Sequence, residues 1–166
     1  MSIRAIYGKR GSGKDTLYKY INNGLETPCS YTKFEGDEWL LTQPGERIGV
    51  ADNLKEYVSS ITGISLAALE AGKDTQYYNG VLYRQLLENH RHDKDWMEIA
   101  LLEIDPKSDY IITDLRYKKD LKVLRKICAE QKMDLFLIKM ERDGGLEPYK
   151  GECELEDEKF DLVVGW

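Results

Sequence analysis

The chain has 166 residues and a formal net charge of −6, with 42% hydrophobic and 33% charged residues. These values predict one soluble globular domain over residues 1–166 and disfavour a nucleic-acid-binding surface, which carries a basic excess. No apolar run approaches the roughly 18 residues of a membrane span, and the first residues lack the apolar core of a secretory signal. Because Cys29, Cys128 and Cys153 are widely spaced, we expect reduced thiols and a cytoplasmic protein.

Apolar runs typical of strands alternate with helix patterns along the chain. Strands are predicted at residues 3–7, 47–51, 110–113, 134–140 and 161–164. Helices are predicted at about residues 14–22, 52–63, 65–71, 81–89, 95–104 and 118–132, with Asp52 as an N-cap and Gly63 as a stop. Since parallel strands need crossover connections, this alternation predicts an α/β fold with a parallel sheet covered by helices on both faces.

Two segments have weaker patterns. Residues 24–43 are interpreted as a strand followed by a loop. Residues 143–159 are rich in Gly and Glu and predict either a lid over the site or an acidic surface loop.

A glycine-rich segment joins the first predicted strand to the first predicted helix. It consists of Gly8, Lys9, Arg10, Gly11, Ser12, Gly13, Lys14, Asp15 and Thr16. Its spacing fits G-x-x-x-x-G-K, in which backbone amides and a helix N-terminus face phosphate oxygens and the lysine adds a mobile positive charge. The segment therefore predicts a binding site for the polyphosphate of ATP, with Lys14 as a catalytic residue. A glycine-rich turn that binds nothing is the alternative.

Asp15 follows the loop lysine at the position where this pattern usually has Ser or Thr. That hydroxyl normally ligates Mg²⁺, and here a threonine, Thr16, stands one place later. Many kinases of small molecules and nucleoside monophosphates have a loop of this form, which favours a kinase over a GTP switch or a motor ATPase. Asp15 is accordingly one candidate ligand of Mg²⁺.

Charged residues follow two of the later strands. Asp114 ends the third strand, where phosphate-loop proteins hold Mg²⁺ directly or through water, and it is the second candidate metal ligand. Arg116 is predicted to point from the same strand end toward the phosphates, although an Asp–Arg pair that closes a turn is the alternative. Arg142 opens the lid segment, where a cation stabilises the charge in transfer. Arg116 and Arg142 are therefore candidate catalytic residues.

Four residues in the middle of the chain are candidates for binding an acceptor substrate. Lys55 lies on the second predicted helix, and Arg84 offers a planar fork that binds phosphate in a bidentate manner. Gln85 suits a base or hydroxyl edge, and Trp96 suits stacking. The structural alternatives are a surface lysine for Lys55, a solvated helix face for Arg84 and Gln85, and core packing for Trp96.

Together these segments resemble the deoxynucleotide monophosphate kinase family of phage and viral enzymes, to which the animal-type phosphomevalonate kinases are related. The resemblance extends from end to end of the chain and rests on residues 8–15, 52–56, 83–87, 93–96 and 113–116. Where the family commonly has Ser-Glu before a last strand that closes with Asn, this sequence has Gly151-Glu152 and Trp166.

The resemblance implies a phosphate-loop kinase fold of three αβα layers, with five parallel strands in the order 2-3-1-4-5. It implies transfer of the γ-phosphoryl group of ATP, with Mg²⁺, to a small phosphorylated acceptor, a (deoxy)nucleoside monophosphate, held by Lys55 and Arg84. The expected partner is thus a small phosphorylated molecule and neither nucleic acid nor a membrane; a homodimer is compatible with the family. A viral enzyme of this kind acts in the host cytoplasm.

Two other functions remain open at this point. A phosphomevalonate-type kinase shares the loop, Lys55, Asp114 and Arg116. Aromatic residues in the middle of the chain argue against a phosphomevalonate-type kinase, because they favour an acceptor that carries a base. These residues are Tyr77, Tyr78, Tyr83 and Trp96. The second is a nucleotide-binding module without turnover, because Asp15 departs from the usual loop.

Overall fold

The computed structural model describes residues 1–9, 11–23, 33–142 and 154–165. The chain divides into two compact units, one made of Met1–Ile48 and Glu103–Trp166 and the other of Gly49–Leu102. We call them the sheet unit and the helical unit, and each is described by itself. The single domain expected from the chain length stays a prediction.

The described secondary structure follows the predicted alternation. In chain order the elements are β1 (Ser2–Gly8), α1 (Lys14–Asn23), β2 (Lys33–Gly36), a 3₁₀ helix (Glu38–Leu41), β3 (Glu46–Ile48), α2 (Val50–Thr62), α3 (Leu66–Ala71), β4 (Tyr77–Tyr78), β5 (Val81–Leu82), α4 (Tyr83–Asn89), α5 (Trp96–Ala100), β6 (Tyr110–Leu115), α6 (Lys118–Gln131), β7 (Asp134–Glu141) and β8 (Leu162–Gly165).

The sheet unit has a six-stranded sheet in the order β2-β8-β7-β1-β6-β3. Neighbouring strands are parallel from β8 to β3, and only β2 is antiparallel, to β8. Counted among themselves in chain order, the parallel strands have the order 2-3-1-4-5, which confirms the predicted topology. The additional edge strand, β2, belongs to the segment that the sequence assigned to a strand and a loop.

Helices flank this sheet. Leu17 and Ile21 of α1 pack in one buried cluster with Ile6, Ile138 and Val164 from the strands. The buried apolar residues of α6 lie outside that cluster, and α6 contacts β7. The chain therefore forms an α/β fold with a largely parallel central sheet.

The helical unit is built around α2, which contacts α3, α4 and α5. The predicted stop at Gly63 is confirmed, because Gly63 has a φ of 76° and caps α2. The predicted N-cap at Asp52 is wrong: Gly49 is the N-cap, and Asp52 lies in the first helical turn. The helix starts earlier because Val50 is buried as part of its apolar face, which also shortens the preceding strand.

Two further helix predictions are longer than the observed helices. The helix expected from residue 81 begins at Tyr83, because Val81–Leu82 pairs with Tyr77–Tyr78 as a hairpin. Asn79 and Gly80 have φ angles of 50° and 78°, as the Asn-Gly turn of a two-residue hairpin requires. The helix expected to reach residue 104 ends at Ala100. None of the described helices is both long and apolar enough to cross a membrane.

Candidate active site

The glycine-rich segment leaves β1 and folds back on itself before entering α1. The Ser12 amide donates to the Lys9 carbonyl at 3.1 Å, and Gly11 and Gly13 have φ angles of 75° and 95°, which glycine adopts without strain. A side chain on Gly8 would collide with the Ser12 hydroxyl and crowd Met140. The loop therefore needs its glycines, and it places the N-terminus of α1 directly after the turn.

Lys14 is the first residue of α1 and points back over the loop. Its Nζ donates to the carbonyl oxygen of Gly8 at 2.5 Å and reaches that of Lys9 at 3.5 Å. From the other side, Nη1 of Arg142, directly after β7, donates to the carbonyl oxygen of Gly11 at 3.2 Å. The structure thus brings together the loop and two of the predicted catalytic residues, Lys14 and Arg142.

Asp114 and Arg116 lie at the carboxyl end of β6, the strand next to β1, and both are half-buried. Ala5 pairs with Ile112 and Tyr7 with Leu115, so β6 carries one extra residue between these pairs. A bulge of this kind re-aims a side chain beside a functional site. Among the parallel strands, the one that follows β1 in the chain is β3, on one side of β1, whereas the one that follows β6 is β7, on the other side of β1. Asp114 therefore ends a strand at the point of an α/β sheet where ligands bind.

The predicted metal ligands fit a magnesium ion held mainly by phosphates. Asp15 is exposed in the first turn of α1, and Thr16 is half-buried beside it. No cluster of three His, Cys, Asp or Glu side chains occurs in the described part of the chain. Mg²⁺ needs no such cluster, since it binds through one or two carboxylates together with substrate phosphates and water. Asp114 and Asp15 stay candidates for this role.

A carboxylate that the sequence interpretation missed, Glu156, lies beside the loop. It accepts from Lys139 at 2.7 Å and from the Tyr7 hydroxyl at 3.2 Å, and Lys9 of the loop lies 3.8 Å away. Burial lowers the pKa of Lys139, but Glu156 and Glu141 outweigh burial and raise it overall. Burial by itself raises the pKa of Glu156, but Lys139, Tyr7 and Lys9 outweigh burial and lower that pKa overall.

Glu156 belongs to the segment that was predicted as a lid or an acidic loop. Of that segment the structure describes the part from Glu154 onward. Leu155 is fully buried, Glu154 accepts from the Lys118 amide at 3.2 Å, and Glu158 accepts from Arg125 at 3.1 Å. This part therefore packs on β7 and α6. No pattern in the sequence signals that packing, because isolated glutamates between polar residues are typical of surface loops as well.

The helical unit brings Lys55 and Arg84 together with a cation that was not predicted, Lys73. Glu70 accepts from Lys55 at 2.8 Å and from Lys73 at 3.3 Å, and Arg84 pairs with Asp74 through two bonds of 2.6 and 2.8 Å. Burial lowers the pKa of Lys73; Glu70 opposes this effect, whereas Lys55 and Arg84 add to it. We call these residues the cation cluster: Lys55, Glu70, Lys73, Asp74 and Arg84.

The other two acceptor candidates have ordinary structural contacts. Gln85 is exposed and donates to the side chain of Asn89, one turn further along α4, at 2.8 Å. Trp96 is 6% exposed, packs against Tyr57 with 5.5 Å between ring centroids, and donates its indole N–H to the Arg91 carbonyl at 2.8 Å. Trp96 therefore has the contacts of a packing residue, which was its structural alternative.

Some predicted positions lie outside the described residues. They are Arg10, Gly151, Glu152 and Trp166, together with the first part of the predicted lid, residues 143–153, and the first part of the predicted strand and loop, residues 24–32, which contains Cys29. For these the sequence-based roles stay predictions.

Comparison with known proteins adds a structural likeness only. No family model and no curated protein matches the chain. Two structures of APS kinase from Mycobacterium tuberculosis, each 14% identical, are similar to it. A cysteine-to-alanine mutant has a TM-score of 0.41 and covers 90% of this chain and 81% of its own. A complex with AMPPNP and APS has a TM-score of 0.43, and the match covers 95% of this chain and 69% of the other. A likeness of this degree carries no argument about substrate or activity.

Proposed function

We propose that this protein transfers the γ-phosphoryl group of ATP to a deoxynucleoside monophosphate. The observation that supports the proposal is the loop between β1 and α1, where Lys14 reaches back over a turn in which Gly11 and Gly13 have positive φ angles and a side chain at Gly8 would meet Ser12. Backbone amides at a helix N-terminus, completed by a lysine, form a site for the polyphosphate of a nucleotide. The observed order of the parallel strands, 2-3-1-4-5, is the order that the resemblance implies.

The donor half of the reaction falls to the sheet unit. The loop amides and Lys14 would bind the β- and γ-phosphates, and Arg142 would neutralise negative charge as the γ-phosphoryl group moves. Asp114, with Asp15 as the second candidate, would hold Mg²⁺, which would offset negative charge on the phosphates. Arg116, at the end of β6, would bind the phosphates.

The acceptor half falls to the helical unit. Lys55 and Arg84 are the cations that would bind the phosphate of the acceptor. A phosphate monoester is already a competent nucleophile, so the reaction needs alignment and charge neutralisation and no general base. Trp96 has the contacts of a packing residue, whereas Tyr77 is 65% exposed at the β4–β5 hairpin. The Tyr77 ring therefore offers an aromatic face on which a base would stack.

The proposal is tested with labelled ATP, Mg²⁺ and a panel of acceptors. The panel contains all ribo- and deoxynucleoside monophosphates together with phosphomevalonate. We expect diphosphate formation from at least one deoxynucleoside monophosphate and none from phosphomevalonate. Turnover of phosphomevalonate alone would assign the protein to the rival kinase. ATP binding by calorimetry, without ADP formation for any acceptor, would make it a binding module.

A further inference from the structure

The acids and the cations of the cation cluster lie at different depths. The side chains of Lys55, Lys73 and Arg84 are 26%, 28% and 20% exposed, whereas those of Glu70 and Asp74 are 55% and 59% exposed. Surface lysines ordinarily extend into water, and an ordinary surface ion pair exposes both partners. In this cluster the cations are the more deeply buried partners, and the carboxylates lie nearer the solvent.

The donor groups also converge. The two oxygens of Glu70 accept from two different ammonium groups, Lys55 at 2.8 Å and Lys73 at 3.3 Å. Arg84 presents its planar fork to the two oxygens of Asp74 at 2.6 and 2.8 Å. A guanidinium fork and paired ammonium groups bind phosphate oxygens with the same geometry. The carboxylates therefore mark where the oxygens of an anion would bind.

Backbone contacts hold these side chains in place. The amide of Arg84 donates to the carbonyl of Lys73 at 3.0 Å, which joins the start of α4 to the turn after α3. In that turn the amide of Gln76 donates to the Gly72 carbonyl at 2.8 Å. The main chain thus fixes where the side chains of Lys73 and Arg84 begin, and the ion pairs with Glu70 and Asp74 order the side chains themselves.

The five residues of the cation cluster include one more cation than carboxylates. Three cations face two carboxylates, and the pKa of Lys73 is lowered by burial and, to a smaller extent, by Lys55 and Arg84, although Glu70 opposes this. A phosphate monoester carries nearly two negative charges at neutral pH. Exchange of the exposed Glu70 carboxylate for such an anion would relieve the repulsion among the cations.

We infer that Lys73 completes the acceptor-phosphate subsite with Lys55 and Arg84, and that Glu70 occupies this subsite until the acceptor phosphate displaces it. The inference rests on the proposed function, since it names the residues that bind the acceptor. Lys73 thereby becomes a substrate-binding residue, and Glu70 becomes a competing internal anion that sets how tightly the acceptor binds.

The test compares Lys73→Gln with Glu70→Gln in steady-state kinetics of the whole chain. Lys73→Gln should raise the acceptor KM about tenfold or more, since it removes a charged hydrogen bond, with kcat and the KM for ATP nearly unchanged. Glu70→Gln should lower the acceptor KM about two- to fivefold, because it removes the competing carboxylate of a surface ion pair. Changes of opposite sign in the acceptor KM at two contacting residues separate this role from a purely structural one.

Matched controls come from exposed residues of α6. Lys122→Gln and Glu130→Gln make the same charge changes and should leave both KM values unaltered. Lys73→Arg, which keeps the cation, should retain most of the acceptor affinity. If Lys73→Gln does not fold, Lys73→Met, which removes the charge and keeps an apolar stem, replaces it and should raise the acceptor KM in the same way. An acceptor KM in Lys73→Gln equal to that of Lys122→Gln, or a raised one in Glu70→Gln, would overturn the inference.

The proposed function and this inference fail in different ways. If the wild-type chain phosphorylates none of the monophosphates, the proposed function falls, and inorganic phosphate becomes the probe in calorimetry. The anion subsite then stands if phosphate binds Lys73→Gln more weakly than wild type and Glu70→Gln more tightly. It falls if the variants bind phosphate as the two α6 controls do.

Discussion

Arg142 donates a hydrogen bond to the carbonyl oxygen of Gly11, a residue 131 positions earlier in the chain, at 3.2 Å. The contact arises because β7 lies parallel to β1, with Met140 paired to Gly8, so both strands end at the same edge of the sheet. A cation at the end of one strand therefore reaches the loop that follows its neighbour. This relationship places a positive charge from a distant part of the chain at the loop.

Replacing Arg142 with alanine should impair phosphoryl transfer much more than folding. The side chain is exposed, so we expect a loss of stability below about 1 kcal/mol but a fall in kcat of about 100-fold or more. Single-turnover kinetics and thermal melts measure the two effects. Arg125→Ala, which breaks an exposed ion pair with Glu158, is the control and should leave kcat unaltered. Equal activity in the two variants would remove Arg142 from the site.

Lys14→Ala should reduce turnover by about 100- to 1,000-fold, because it removes a charge next to the transferred group. The hydrogen bonds from Lys14 Nζ are to carbonyl oxygens of the loop, Gly8 and Lys9, which water can solvate instead. Loss of stability should therefore stay near 1 kcal/mol. The measurements are kcat with the best acceptor and the melting temperature. Kinase activity close to wild type would contradict the assignment of the loop.

Gly8→Ala should abolish ATP binding, since its new Cβ would collide with the Ser12 hydroxyl and crowd the Met140 backbone. Gly63→Ala is the matched control: Gly63 has a φ of 76°, and a Cβ there meets no atom. Its cost of about 1 kcal/mol is conformational only. Calorimetry should show ATP binding intact in Gly63→Ala and lost in Gly8→Ala. Equal affinities would show that the loop tolerates a side chain.

Glu156 and Lys139 should be energetically coupled. Their 2.7 Å ion pair is partly shielded, with side chains 31% and 16% exposed, so a double-mutant cycle of Glu156→Gln and Lys139→Met should give a coupling of about 1 kcal/mol. The pair of Arg125 and Glu158, with side chains 53% and 27% exposed, is the comparison and should couple more weakly, because its cation is much more exposed than Lys139. If Glu156 and Lys139 couple no more strongly than Arg125 and Glu158, the network beside the loop does not stabilise the fold.

The same pair predicts a pH dependence. The pKa of Glu156 is lowered below 4.5 in the folded chain, so its stabilising effect is present above that value and is lost as the pH falls through the folded pKa. Lys139, whose pKa is raised above 10.5, contributes fully below that value and loses its effect only at higher pH. The difference in melting temperature between wild type and Glu156→Gln should therefore shrink from pH 6 to below pH 4. A difference that does not change with pH would contradict the pairing.

Cys128 should resist alkylation in the native protein. Burial raises the pKa of its thiol to about 11, so only about one molecule in a thousand carries the reactive thiolate at pH 8. Iodoacetamide labelling, followed by mass spectrometry of the peptide that contains Cys128, should be about 100-fold slower in native buffer than in urea. Equal rates in both would show that the α6 face opens readily.

Several features follow from the local sequence. The glycine and lysine spacing of residues 8–14 identifies the loop, because few residue types permit its positive φ angles. The parallel strand order agrees with the resemblance, and the end of α2 follows from Gly63, which adopts a left-handed conformation without strain. At the end of α6 a lysine, Lys132, has this conformation, which its residue type does not predict. The Asn79-Gly80 turn was present in the sequence as a hairpin signal and was overlooked, because a helix pattern follows at once.

What the sequence by itself determined is therefore the strand–loop–helix that suits a polyphosphate and the α/β class of the fold. Only the tertiary structure decided which distant charges meet: Arg142 at Gly11, Glu156 at Lys139, and Lys73 beside Lys55 and Arg84. Local patterns depend on a few consecutive residues and the turns they permit. Long-range pairs depend on strand register and on the depth of each side chain, and no short stretch of sequence encodes these.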